Sequence, residues 1–173
     1  LPNLFFVGVG NMGAPMAANL VKAGYRLTVH DVVREKAEPL IKLGAHWVDT
    51  LAEGAKHADV VMASLPGPPQ VRAVMLGEGG ILHAIRPGTT VIDTSTSAVD
   101  LVKELAEVAK ARGCEFLEAP VTNAIDFAVL GRLSIFVGGD AACFEKHKPI
   151  FNVIGEKIFH VGVHGNGATI KLL

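Results

Sequence analysis

The stretch that decides the fold is Leu4–Gly24, LFFVGVGNMGAPMAANLVKAG. Its opening apolar run, Leu4 to Val9, has the length and composition of a strand buried on both faces. Met12, Met16 and Leu20 then recur every fourth residue, the spacing of a single apolar stripe on a helix. Pro15 falls in the first turns of that helix, where a missing N–H costs least, and Gly24 marks its stop. Between strand and helix lies GVGNMG, with glycines at positions 8, 10 and 13. There Gly8 makes the turn, Gly10 lets a phosphate approach the main chain, and Gly13 lets helix pack on strand. The helix N-terminus is left aimed at a pyrophosphate, flanked by Asn11 and Met12. Asp31 closes the next strand, near the roughly 20-residue offset expected for a carboxylate that binds ribose hydroxyls. Together these features predict a dinucleotide site rather than a bare turn. A carboxylate at Asp31 repels a 2′-phosphate and so favours NAD, while Arg34 softens that repulsion and keeps NADP as the alternative.

Outward from this unit, apolar strands and helical patterns alternate. YRLTVHD (25–31), ADVVMASLP (58–66) and TTVIDTST (89–96) read as strands, and REKAEPLIKLG (34–44) and DLVKELAEVAKARG (100–113) as helices. EFLEAPV (115–121), a short helix near Ala124 to Gly131, the strand LSIFVGG (133–139), a helix from Asp140 and the strand KIFHVG (157–162) follow. The alternation predicts right-handed crossovers and an α/β fold: a doubly wound, mostly parallel sheet of Rossmann type, extended by extra C-terminal strands.

Bulk properties exclude several classes. Half of the 173 residues are hydrophobic and the mean hydropathy is +0.39, which argues for a packed core. No apolar run reaches the roughly 20 residues of a membrane-spanning helix. Net charge is −1 with no Lys/Arg stripe, so neither nucleic acid nor an anionic membrane is expected as a partner. Cys114 and Cys143 lie far apart without ligand spacing and read as buried thiols of a reducing, cytoplasmic compartment; no basic leader precedes the apolar start. His160 and His164 are four apart but interrupted by glycine and valine, with no third ligand nearby, so no metal site is expected. Glu115 and Glu118 alternate on a strand without an evident partner.

SLPGPPQ, DTSTS and EAPVTNA end later strands, and a parallel sheet gathers such turns on the cofactor edge. Leu65 and Pro66 are placed to wall the nicotinamide ribose, and Thr96 to hydrogen-bond to it. Ser95 to Ser97 serve equally well as an N-cap for the helix that follows. In the final stretch, GVHGNGATIKLL, Lys171 falls in the first turns of a helix. By composition it reads as a solvated charge, but a lysine beside an oxidised nicotinamide is favoured to release its proton.

With these motifs in this order, the chain resembles the β-hydroxyacid dehydrogenase family (3-hydroxyisobutyrate dehydrogenase-like) from Phe6 to Lys171. GVGNMGAPMAANLVKAG looks like its cofactor segment, SLP its nicotinamide-side turn and DTST its loop after the fifth strand. EAPVTNAIDFAVLGRLSIFVGGD resembles its substrate segment, and GNGATIK its lysine segment. The resemblance implies a hydride transfer between NAD and a small 3-hydroxy acid, interconverted with its semialdehyde or keto acid, with Lys171 as acid/base. It implies substrate contacts at Thr122, Asn123 and Ala124, where the family pattern has Ser-Gly-Gly; the added side chains point to an altered pocket. Glu118 stands where the family has Asp. The resemblance also implies a dinucleotide-binding domain over residues 1–162, a connecting helix beginning in residues 163–173, and a further all-helical domain that completes the site of a homo-oligomeric parent enzyme. Without that domain, binding of NAD and poor turnover are expected. A 6-phosphogluconate dehydrogenase-like enzyme would call for a basic pocket and a histidine before the lysine, and an imine reductase-like one usually lacks the lysine. A non-catalytic dinucleotide-binding module is the remaining alternative.

Overall fold

Four consecutive buried residues, Leu4–Val7, form the central strand β1, and its alternation divides the core in two. Leu4 and Phe6 face one side of the sheet with Met16, Leu20, Val29, Met62 and Phe151. Phe5 and Val7 face the other, with Val61, Met75, Leu82, Leu105 and Phe116. A strand sandwiched between two such layers has no solvated face, which is why its sequence shows no polar alternation.

The computed structural model describes residues 1–173. Strands β1 (Leu4–Val7), β2 (Leu27–His30), β3 (His46–Trp47), β4 (Val60–Ala63), β5 (Thr90–Asp93), β6 (Glu115–Glu118), β7 (Val121–Thr122), β8 (Leu133–Gly138) and β9 (Gly155–Gly162) form one sheet. Its order is β3-β2-β1-β4-β5-β6-β8-β7, with β9 paired to β8. From β3 to β6 all pairs are parallel; β8 runs antiparallel to β6 and β7, and β9 parallel to β8. Helices α1 (Gly13–Lys22), α2 (Glu38–Lys42), α3 (Leu51–Ala55), α4 (Pro68–Leu76), α5 (Ile81–Ala84), α6 (Val99–Ala111), α7 (Ile125–Val129), α8 (Ala141–Ile154) and α9 (Asn166–Leu172) complete the fold. This is the doubly wound, extended sheet the sequence predicts. From β1 the chain first builds outward to β2 and β3, then returns to the other side at β4. The reversal opens a crevice at the carboxyl ends of β1 and β4, where such folds bind ligands.

Local departures have local causes. The first strand ends at Val7, because Gly8 already turns at φ +89°. The expected helix 34–44 divides into a 3-10 turn, Arg34–Ala37, and α2; Pro39, lacking an N–H, can only open the second piece. EFLEAPV likewise divides into β6 and β7, since Pro120 cannot donate to a ladder. Short β3, α3 and α5 carry too few residues to show a period, and α4 starts on the proline pair Pro68-Pro69. No helix is long and apolar enough to cross a membrane.

Candidate cofactor site and lysine

The turn between β1 and α1 is held from three sides. Gly8 N donates to His30 O at 3.0 Å, Ser64 N to Val7 O at 2.9 Å, and Val9 N to Asp31 Oδ2 at 2.9 Å. The other carboxylate oxygen of Asp31 accepts from Val33 N at 2.9 Å. Asp31 therefore ties the end of β2 to the glycine turn while keeping lone pairs free on the cleft side. A Cβ on Gly8 would collide with Ser64 O, and one on Gly13 with Gly8 O. Nothing lies within 4 Å of a Cβ built on Gly10, where the turn faces open space. Met12, at the N-cap of α1, makes no side-chain cap. The helix thus begins with amides directed at a concavity, the chemical complement of a pyrophosphate.

That concavity is a cleft of about 720 Å³. Gly8, Gly10, Asn11, Met12, Gly13 and Asp31 line one part of it, Leu65, Pro66 and Thr96 another, and Asn123 and Lys171 a third. Thr122 and Ala124 are not among its lining residues: Thr122 pairs with Ser134 in the sheet, and Ala124 caps α7 from an exposed position. A second hollow of about 560 Å³, with Arg26, His46, Lys56 and His57 along its wall, opens at the opposite, amino end of the strands. It contains none of the motif residues.

Loops from β4 and β5 are locked together beside the cleft. Ser95 N donates to Asp93 Oδ1 at 3.0 Å, and Leu65 N donates to Ser95 Oγ at 2.8 Å. Burial pushes the Asp93 carboxyl up to about 6; its hydrogen bonds to Ser95 counter that shift, and the neighbouring Glu118 adds to it. Ser95 therefore braces the Leu65 turn and does not cap α6, whose N-cap is Ala98 without any side-chain cap. Ser97 Oγ is buried without a partner.

Asn123 adopts φ +97°, the one non-glycine residue with positive φ, and its Oδ1 accepts from Ser134 N at 2.9 Å. The side chain thus repairs the strained turn that glycine would make without cost. Lys171, half-buried on the last turn of α9, reaches the same cleft from the far end of the sheet. Arg34 pairs with Glu38 at 3.4 Å and covers the Trp47 ring at 5.6 Å; Lys36, not Arg34, lines the cleft near Asp31. His160 and His164 contact the carbonyls of Gly139 and Phe116, at 2.8 and 2.6 Å.

Glu118 was the least legible of these residues. It is 2 % exposed, and its carboxylate accepts from Gly165 N, from Gly167 N at 3.0 Å and from Ala168 N at 3.0 Å. The sequence carried two faint signals, an acidic residue on a strand otherwise apolar inside and a Glu where the resembled family has Asp.

A doubly wound sheet, a glycine turn at its switch point and an uncapped helix end facing a cleft define a dinucleotide-binding domain. Comparison with known proteins narrows this class. The chain belongs to the family described as the NAD binding domain of 6-phosphogluconate dehydrogenase, whose model matches residues 3–162. It is 39% identical over 172 residues to the NAD-dependent L-serine dehydrogenase of Pseudomonas aeruginosa, covering 99% of this chain and 58% of that protein. To the 3-hydroxyisobutyrate dehydrogenase of the same organism it is 38% identical, with the same coverage. A solved structure of Mycobacterium tuberculosis 3-hydroxyisobutyrate dehydrogenase with L-serine matches with a TM-score of 0.93 at 34% identity, over 99% of this chain and 58% of that one. The chain thus spans 58% of the length of these relatives.

Proposed function

We propose that this domain holds NAD in the cleft at the β1–β4 switch point and contributes Lys171 as the proton-transferring group of a dehydrogenase for small 3-hydroxy acids. The observation that carries the reading is the arrival of Lys171 in the same cleft as the glycine turn, from the opposite end of the sequence. The amides at the start of α1 receive the pyrophosphate, and Gly10 leaves room for it. Asp31 accepts from the ribose hydroxyls, while Leu65, Pro66 and Thr96 wall the nicotinamide side. Bound there, the nicotinamide supplies the acceptor for a hydride from the substrate carbon. Lys171 Nζ takes the hydroxyl proton as the C–H bond breaks, and returns it in the reverse direction, which yields or consumes the semialdehyde or keto acid. Of the three candidate substrate residues, Asn123 supplies the substrate side of this reading, since it lines the cleft with Lys171 while Thr122 and Ala124 do not. A sugar-phosphate substrate is less favoured, because Lys36 and Lys171 are the only cationic side chains lining the cleft, and Lys36 is on the Asp31 side.

Parallel calorimetric titrations with NAD and NADP test the reading. NAD is expected to bind at least about tenfold more tightly, since Asp31 meets a 2′-phosphate with like charge. Substituting Asp31→Ser should narrow that ratio. Binding of neither dinucleotide would overturn the proposal, and preference for NADP would transfer the selecting role from Asp31 to Lys36.

A further inference from the structure

The glycines before Lys171 serve a residue of the protein itself. Gly165 N and Gly167 N donate to Glu118 Oε1, and Ala168 N donates to Oε2. The carboxylate comes from the end of β6, 47 positions before Gly165. Its space is made by glycine on two sides. A Cβ on Gly138, the register partner of Glu118 on β8, would collide with Oε1; one on Gly167 would lie 3.0 Å from Cδ and 2.8 Å from Phe136 O. Helix α9 has no cap of its own, because its N-cap is Gly165 at φ +99°. Three donors from its first turn therefore converge on one buried carboxylate, which also places a negative charge at the positive end of the helix.

This clamp determines more than whether α9 forms. Fixing the amides of Gly165, Gly167 and Ala168 fixes the height and rotation of the helix about its axis. Lys171 follows Gly167 by four residues and so shares its face. The clamp is also registered with the other wall of the cleft. Asp93, the β5 residue paired with Glu118, anchors Ser95 and through it the Leu65 turn. Two adjacent positions in the sheet thus hold the nicotinamide-side loop and the lysine helix at a set separation.

We propose that Glu118 is a positioning residue for the proton-transferring lysine: it clamps the first turn of α9 to the end of β6 so that Lys171 faces the dinucleotide. The inference rests on the assignment of Lys171 given above, and the two are tested separately by competitive acetylation. Trace acetylation read by mass spectrometry, with and without saturating NAD, reports the reactivity of Lys171 against the remaining lysines of the same molecule. In the unsubstituted chain NAD should change Lys171 labelling by about threefold or more and leave the others as they were. Glu118→Gln should keep NAD affinity within about twofold yet abolish that change, and Glu118→Asp, which retains the charge, should restore it. A Lys171 response that persists in Glu118→Gln overturns the proposal, and so does failure of Glu118→Asp to restore it. If NAD binds the unsubstituted chain without altering Lys171, the assignment of the lysine falls, and the positioning role with it. Should Glu118→Gln unfold, seen as equal gains at every lysine, Gly167→Ala displaces the start of α9 against Phe136 O and the Glu118 side chain while keeping the carboxylate chemically intact. Loss of the Lys171 response there supports the clamp, and its retention overturns it.

Discussion

Two glycine-rich turns in this chain lead from a strand into a helix, and their helices begin in opposite states. GVGNMG (8–13) carries β1 into α1, and GVHGNG (162–167) carries β9 into α9. At the first, no side chain caps the helix and Gly10 faces open space. At the second, Glu118 fills the helix end with three hydrogen bonds. Both turns expose a row of amides that need an acceptor. Where the fold leaves the row facing a cleft, it becomes a seat for a ligand; where another strand delivers a carboxylate, it becomes a joint. A glycine turn announces available donors, and its surroundings decide who accepts from them.

The contrast breaks most visibly at its closed end. Glu118→Ala would leave three buried amides without an acceptor, at a cost of about 4 kcal/mol. For a domain of this size that is a fall of roughly 10 °C in Tm, measurable by calorimetry. A loss below about 1 kcal/mol would show that water caps α9 as well as the carboxylate does.

A test of the remote core separates acid sensitivity from both turns. His147, hydrogen-bonded to Thr90 Oγ1 at 2.9 Å, is pushed down to about 4, first by burial and then by the charge of Lys146. Above about 6.5 the residue is neutral in both folded and unfolded chains, and its full contribution is present. As pH falls from there toward 4, the unfolded chain takes the proton and the folded one does not, so stability is lost. Asp93, pushed up to about 6, acts in the opposite sense: its contribution is complete below the ordinary carboxylate range and is lost as pH rises through 6. The two oppose one another between pH 4 and 6, and the unsubstituted chain should show a muted response there. In His147→Gln only the Asp93 contribution remains, so the stability difference between the two proteins should shift by about 2 kcal/mol across this window. Parallel urea titrations at several pH values would read it, and a constant difference would remove His147 as the cause.

The open end should respond in binding alone. Gly10→Ala adds a methyl into free space, so folding stability should stay within about 0.5 kcal/mol. NAD affinity should fall about tenfold, or about 1.4 kcal/mol, because that methyl occupies the approach to the amides. An effect on stability larger than the effect on binding would mean that the α1 end is not free after all.

Much of this was readable in the amino-acid order. The apolar run at Leu4, the four-residue recurrence of Met12, Met16 and Leu20, and the offset to Asp31 specify β1, the glycine turn, α1 and β2, since each is set by residues close along the chain. The same alternation specifies the parallel sheet and gathers Leu65, Pro66 and Thr96 on one cleft; Lys171, which lines the same cleft, was pointed to by the family resemblance and not by the alternation. Pro39 and Pro120 divide a helix and a strand that the longer patterns around them make read as continuous.

What only the tertiary structure decided is which group answers which donor. Arg34 lies nearer to Asp31 in sequence than Lys36 does, yet Arg34 turns to Glu38 and Trp47 while Lys36 lines the cleft. Ser95 reads as a cap and instead braces Leu65 across two strands. Glu118 meets Gly165 across 47 residues of chain. Periodicity records the neighbours a residue has along its own strand or helix; the partner of a buried carboxylate is chosen by the register between strands, which no local pattern contains.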